Sequence, residues 1–168
     1  VSYEVGALSE PVACASHGFR RTHLRPGEDV LLVGDGFFGL VFADVARALG
    51  AGKVAVLGHH ESRLRIASLR GADYAIDERA PERPDVVASL GEGFGPQVVI
   101  DTVGTSSSLA LALSCVRPGG RIGLFGAGGF EATVDPTQII LKAPEMVGLQ
   151  GNPDVWPDVL AMLAAGKV

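Results

Sequence analysis

Gly34, Gly36 and Gly39 stand at the spacing G-x-G-x-x-G, which suits a phosphate-bearing ligand. Each glycine has a separate job. Gly34 permits the tight turn, Gly36 lets the backbone approach a pyrophosphate, and Gly39 allows close helix–strand contact. The spacing alone is common in turns, so its context decides. The apolar run Val30 to Val33 before it reads as a strand buried on both faces. After it comes a helical pattern with Val41, Val45, Ala48 and Leu49 on one face and Gly50 placed to end it. The first turn of that helix offers unpaired N–H groups and a positive dipole end to phosphates.

Other candidate residues follow from the strands. Ligands bind outside the carboxyl ends of parallel strands. That selects Thr102, Val103 and Gly104 after a fourth strand, Gly126 and Ala127 after a fifth, and Leu149, Gln150 and Gly151 after a sixth. Ordinary turn chemistry is the competing account, especially for the glycines. Asp35 puts a negative charge near the phosphates, and its side chain is expected to point to solvent. Asp77 also ends a strand, far from the centre of the sheet, and reads as a solvated cap.

The elements behind these positions alternate. A helix is expected from Val12 to His23, then strands over Lys53 to Leu57, Tyr74 to Ile76, Gln97 to Asp101, Arg121 to Phe125 and Glu145 to Leu149. Helices are expected over Glu61 to Arg70, Asp85 to Leu90, Ser106 to Val116 and Val155 to Ala165, with a loop from Gly126 to Gly129. Such alternation predicts an α/β fold, a doubly wound six-stranded parallel sheet of order 3-2-1-4-5-6, in a single domain.

The chain has 168 residues, 47% of them hydrophobic, enough for one domain with a real core. Its net charge of -5 with no basic block argues against a nucleic-acid surface, and no apolar run is long enough for a membrane span. No leader resembles a signal peptide, and Cys14 and Cys115 form no C-x-x-C, so a reducing cytoplasmic setting is the expectation.

The ordered motifs are more specific than any one of them. Glu10-Pro11-x-Ala13-Cys14-Ala15-x-His17, Arg25-Pro26-Gly27, the glycine loop, Gly71-Ala72-Asp73, Asp101-Thr102-Val103-Gly104, Arg117-Pro118-Gly119-Gly120-Arg121 and Ala164-Ala165-Gly166-Lys167-Val168 run through the whole chain. In this the chain resembles the zinc-type medium-chain dehydrogenases, the alcohol and polyol dehydrogenase superfamily, over their cofactor-binding half. The resemblance implies a Rossmann fold, with residues 1–24 as an opening segment and helix and residues 25–168 as the βα core. It also implies a nicotinamide cofactor, with the family's zinc motifs lying in a further domain.

By the same resemblance, NAD-preferring relatives carry an acid where this chain has Gly58. Some relatives have Ser-Arg-His-Glu-x-Arg there, so His59 stands where an arginine would clamp a 2′-phosphate, and Arg63 follows. These residues favour NADP(H) over NAD(H); the competing account makes Arg63 a solvated helix charge and the histidines loop residues. Phe37 and Phe38 replace smaller aliphatic residues. Phe38 either backs the nicotinamide ring or makes a plain apolar contact with a neighbouring helix. Thr102, Val103 and Gly104 would meet the adenosine side, and the groups after strands five and six would flank the nicotinamide.

Glu10 matches a glutamate beside the catalytic zinc in polyol-dehydrogenase-like relatives, a role only the full enzyme could use, since one carboxylate does not hold zinc. Its plainer account is an acid favoured at a helix start. Cys14 either lines the nicotinamide pocket or is a small buried thiol. A structural hydrogen bond is expected of His17, and structural roles of His23 and Cys115. The implied activity of the full enzyme is hydride transfer between nicotinamide and an alcohol or carbonyl, and the fragment itself is expected to bind cofactor without turnover. The family's habit of pairing sixth strands suggests a homodimer through Glu145 to Leu149.

Three rivals use similar folds. A methyltransferase would need an acid at the second strand's end, which Gly58 disfavours. A non-catalytic nucleotide-sensing domain fits the Glu10-Pro11 and Gly166-Lys167-Val168 ends less well. A zinc-independent quinone or enoyl reductase is disfavoured by Glu10 with His17.

Overall fold

The computed structural model describes residues 2–127, 131–151 and 154–168. Short apolar runs form the strands. β1 (Val30–Val33), β2 (Val54–Gly58) and β4 (Val98–Asp101) are buried along their whole length. β3 (Tyr74–Asp77), β5 (Arg121–Leu124) and β6 (Glu145–Gly148) complete a parallel six-stranded sheet of order β3-β2-β1-β4-β5-β6. This is the predicted doubly wound Rossmann order. β1 pairs with β2 and β4, placing Val33 level with Leu57 on one side and Asp101 on the other. The order reverses between β1 and β4, and the crevice of such a sheet opens there.

Alternate residues of each central strand enter opposite cores, as a period of two requires. Val30, Leu32, Val54 and Val56 pack with helices α2 (Ser9–Arg21), α3 (Phe37–Ala48), α4 (Glu61–Leu69) and α8 (Trp156–Ala164). Leu31, Val33, Ala55 and Leu57 pack with α5 (Arg83–Ser89) and α6 (Ser106–Cys115) on the other face. Phe42 of α3 meets Phe19 of α2 edge-on at 5.5 Å between ring centres, which ties the opening helix to the core.

Differences from expectation lie at element ends and in exposed helices: β2 and β4 start one residue later than expected, β2 and β3 end one residue later, and β5 and β6 end one residue earlier. α2 starts at Ser9 rather than Val12 and ends at Arg21 rather than His23, and α5 starts at Arg83 rather than Asp85. Two helices were not foreseen. α1 (Tyr3–Gly6) is capped by the Ser2 hydroxyl, and α7 (Pro136–Lys142) by the Asp135 carboxylate accepting from the Thr137 amide. Neither buries a residue, so neither leaves an amphipathic stripe to read. Gly128 and Gly129 of the expected loop lie outside the described residues.

A candidate dinucleotide site at the β1–α3 turn

The glycine loop is shaped from below and open above. Gly34 has φ of 114°, and a Cβ there would lie 2.5 Å from the Thr102 hydroxyl. A Cβ on Gly39 would lie 2.0 Å from the Gly34 carbonyl oxygen, so the start of α3 rests directly on the turn. Gly36 differs: a Cβ there meets nothing within 4 Å. It borders a cleft of about 1020 Å³. No side chain caps α3, which leaves its first-turn amides for a ligand. A dinucleotide fits this arrangement, because Gly36, the loop glycine that the fold does not crowd, borders the cleft.

Asp35 corrects the sequence reading. It is 4% exposed and turns inward instead of to solvent. Its carboxylate accepts hydrogen bonds from the His59 amide (3.1 Å) and the His60 amide (2.7 Å). The His60 Nδ1 lies 3.1 Å from both carboxylate oxygens, and because a carboxylate only accepts, that nitrogen carries the proton. Burial pushes the Asp35 carboxyl up, but the His60 amide and ring and the His59 amide outweigh it and hold it below the ordinary carboxylate range.

Around this anchor the cleft is lined by Gly58, His59, His60, Arg63, Glu78, Arg79 and Arg83. The Arg63 Nη1 is 3.8 Å from Asp35, and His59 faces Glu78 at 3.6 Å. Arg79 donates to the His59 carbonyl and pairs with Asp77, whose carboxyl is lowered to about 2 by hydrogen bonds from Arg79. Asp77 is thus an ion-pair partner rather than only a solvated cap.

On the opposite wall, Asp101 is 1% exposed and its carboxylate accepts from the amides of Val103 and Gly104 and from the Ser108 hydroxyl. It thereby folds the Thr102–Gly104 turn. Thr102 also donates its hydroxyl to the Val33 carbonyl, stitching β4 to β1 beside the glycine loop. Thr105, Ser107 and Ser108 extend this wall.

Phe37 and Phe38 both line the cleft. Phe38 packs at 4.5 Å on Phe125, the residue after β5, and Phe125 also packs on Phe42 of the same helix α3, so the ring partner of Phe38 across the fold is a strand end rather than a neighbouring helix. Phe37 is 54% exposed. The remaining expected positions lie away from this cleft. A Cβ on Gly126 would lie 2.3 Å from the Val103 carbonyl carbon, so Gly126 serves a close crossing of two loops. Leu149 is a core residue against Gly18 and Gly123, while Ala127, Gln150 and Gly151 are exposed.

Glu10 is exposed at the start of α2, and the Cys14 thiol one turn on donates to it at 3.1 Å. Among the described residues no three of His, Cys, Asp or Glu are grouped to hold a metal ion. His17 departs from expectation. Its buried Nδ1 has no hydrogen-bond partner among the described residues, and burial, then Arg20 and Arg21, lower its pKa. Burial pushes the Cys115 thiol up, which suits a structural role. The Arg121 guanidinium reaches the His23 carbonyl at 2.7 Å.

Sequence reasoning missed Asp35 as an anchor, and with it His60, Arg79 and Arg83. The readable signal was an acid inside the glycine loop followed by paired histidines after a glycine-ended strand.

Residues 38–165 match the zinc-binding dehydrogenase family. The chain is 33% identical to L-idonate 5-dehydrogenase of Vitis vinifera, over all of this chain and 47% of that protein. It superposes with a TM-score of 0.83 and 26% identity on a putative zinc-binding dehydrogenase of Sinorhizobium meliloti 1021 bound to NADP, covering 98% of this chain and 49% of that one. It superposes equally completely, at 0.88 and 25% identity, on a short chain alcohol dehydrogenase of Escherichia coli CFT073 complexed with cofactor NADH, over 100% of this chain and 50% of that one. The chain thus spans about half the length of the relatives it matches. It belongs to the zinc-binding dehydrogenase family, within which it forms the dinucleotide-binding α/β domain.

Proposed function

We propose that this chain holds NADP(H), in preference to NAD(H), for an oxidoreductase that moves hydride between the nicotinamide and an alcohol or carbonyl carbon. The observation that carries the reading is the cleft over Gly36, where an uncapped helix end meets a turn bearing His59, His60 and Arg63. At the end of β2 Gly58 presents no carboxylate to the adenosine ribose, and Asp35 nearby is saturated by protein donors. The diphosphate lies on the α3 amides, Thr102, Val103 and Gly104 border the adenosine, and Phe38 backs the nicotinamide side. Gly126, Ala127, Leu149, Gln150 and Gly151 contribute backbone around the nicotinamide once the rest of the enzyme is in place.

The parent enzyme supplies the substrate pocket and the zinc, which polarises the substrate oxygen when bound. Glu10, reaching out from the start of α2, sits near that metal in the full enzyme. This chain alone orients cofactor and turns nothing over. No helix of the described residues is long and apolar enough to cross a membrane. The reading includes a cytoplasmic setting and a homodimer paired along the open edge of β6.

Calorimetric titration of the chain with NADPH and NADH tests the cofactor reading. Tighter NADPH binding is expected, and tighter NADH binding contradicts it.

A further inference from the structure

Gly58 and Asp35 occupy one space. A Cβ built on Gly58 would lie 2.3 Å from the Asp35 Cβ, 2.4 Å from its Cγ and 2.5 Å from Oδ2. No side chain enters position 58 while Asp35 is turned inward. A carboxylate at this corner of the sheet therefore comes from the glycine loop, and at the edge of the cleft it is turned onto the His59 and His60 groups. Its two oxygens take both amides of the β2–α4 turn and the His60 ring, and Arg63 stands 3.8 Å away.

We propose that Asp35 is the positioning residue of the 2′-phosphate pocket, holding His59, His60 and Arg63 in the shape that separates NADPH from NADH. The inference rests on the NADP(H) reading above. Removing the Asp35 charge loosens a turn whose two amides have no other acceptor among the described residues, and the turn and the helix it opens carry the groups that meet a 2′-phosphate. The rest of the dinucleotide lies on α3, which Asp35 does not cap. Charge-assisted hydrogen bonds to two amides account for about a tenfold effect. The effect should fall on the phosphate-bearing cofactor alone.

Five chains test this by calorimetry with NADPH and NADH and by thermal melting: the wild type, Asp35→Asn, Asp35→Gly, Gly58→Asp, and Asp35→Gly combined with Gly58→Asp. Asp35→Asn is expected to weaken NADPH about tenfold and leave NADH within about twofold. Gly58→Asp alone should melt well below the wild type. The double variant clears the shared space, should recover most of that melting temperature, and should bind NADH more tightly than NADPH. An Asp35→Asn change that weakens both cofactors equally, or neither, overturns the positioning role. Full additivity of the two substitutions in melting temperature overturns the shared space. A wild type that prefers NADH overturns the NADP(H) reading instead, and the melting comparison still decides whether the two positions are coupled.

Discussion

Gly39 sits so close to Gly34 that a single added methyl group would lie 2.0 Å from the Gly34 carbonyl oxygen. The neighbouring Gly36 has open space above it. Gly39→Ala should therefore cost about 3 kcal/mol of stability, since backbone must move to admit it. Gly36→Ala should change stability by less than about 0.5 kcal/mol, because its φ of -72° suits any residue. Urea unfolding of the two variants checks the contrast.

Arg121 and Glu28 form an ion pair at 2.6 Å with side chains only 11% and 13% exposed, and Arg121 also donates to the carbonyls of Thr22 and His23. The pair ties β5 to the turn after α2. Glu28→Ala leaves the guanidinium buried beside two carbonyls and without its counter-charge. A loss of about 3 kcal/mol is expected in chemical denaturation.

Asp35 makes stability fall in acid. Its folded carboxyl sits below the usual range, so the unfolded chain takes up the proton first. The contribution is complete above the ordinary carboxylate pKa of about 3.9 and is lost as pH drops through the lower folded value. Asp35→Asn should flatten the melting-temperature profile in that window, relative to wild type.

His17 acts at milder pH. Its folded pKa lies below the ordinary value, with burial the main cause and Arg20 and Arg21 adding to it. The unfolded chain again binds the proton more readily, so this contribution is present above about pH 6.5 and fades as pH falls through the folded value. His17→Gln should reduce the slope of melting temperature against pH just below 6.5, and an unchanged slope would assign the titration elsewhere.

Much of the fold was legible because its central strands are short apolar runs buried on both faces: Val30–Val33 reads that way, and β2 and β4 are recognisable with starts one residue early, at Lys53 and Gln97. The glycine loop was legible because backbone geometry there demands the residue type. Exposed helices such as α7 were not, since Asp135 and Pro136 announce a helix start but the apolar residues that follow, Ile139, Ile140 and Leu141, are consecutive instead of helically spaced. The direction of Asp35 was not legible either. Whether an acid turns in or out depends on the missing side chain of Gly58, a residue 23 positions later that only the sheet brings alongside.

A dinucleotide bound as proposed lays its diphosphate on the amides at Gly36. Calorimetric titration of the wild type and of Gly36→Val with NADPH, beside melting curves of both, tests it most directly. Binding at one site per chain is expected in the wild type and at least about tenfold weaker binding in Gly36→Val, with both melting at the same temperature in the absence of cofactor. A wild type that binds no dinucleotide, or a valine variant that binds it undiminished, would contradict it.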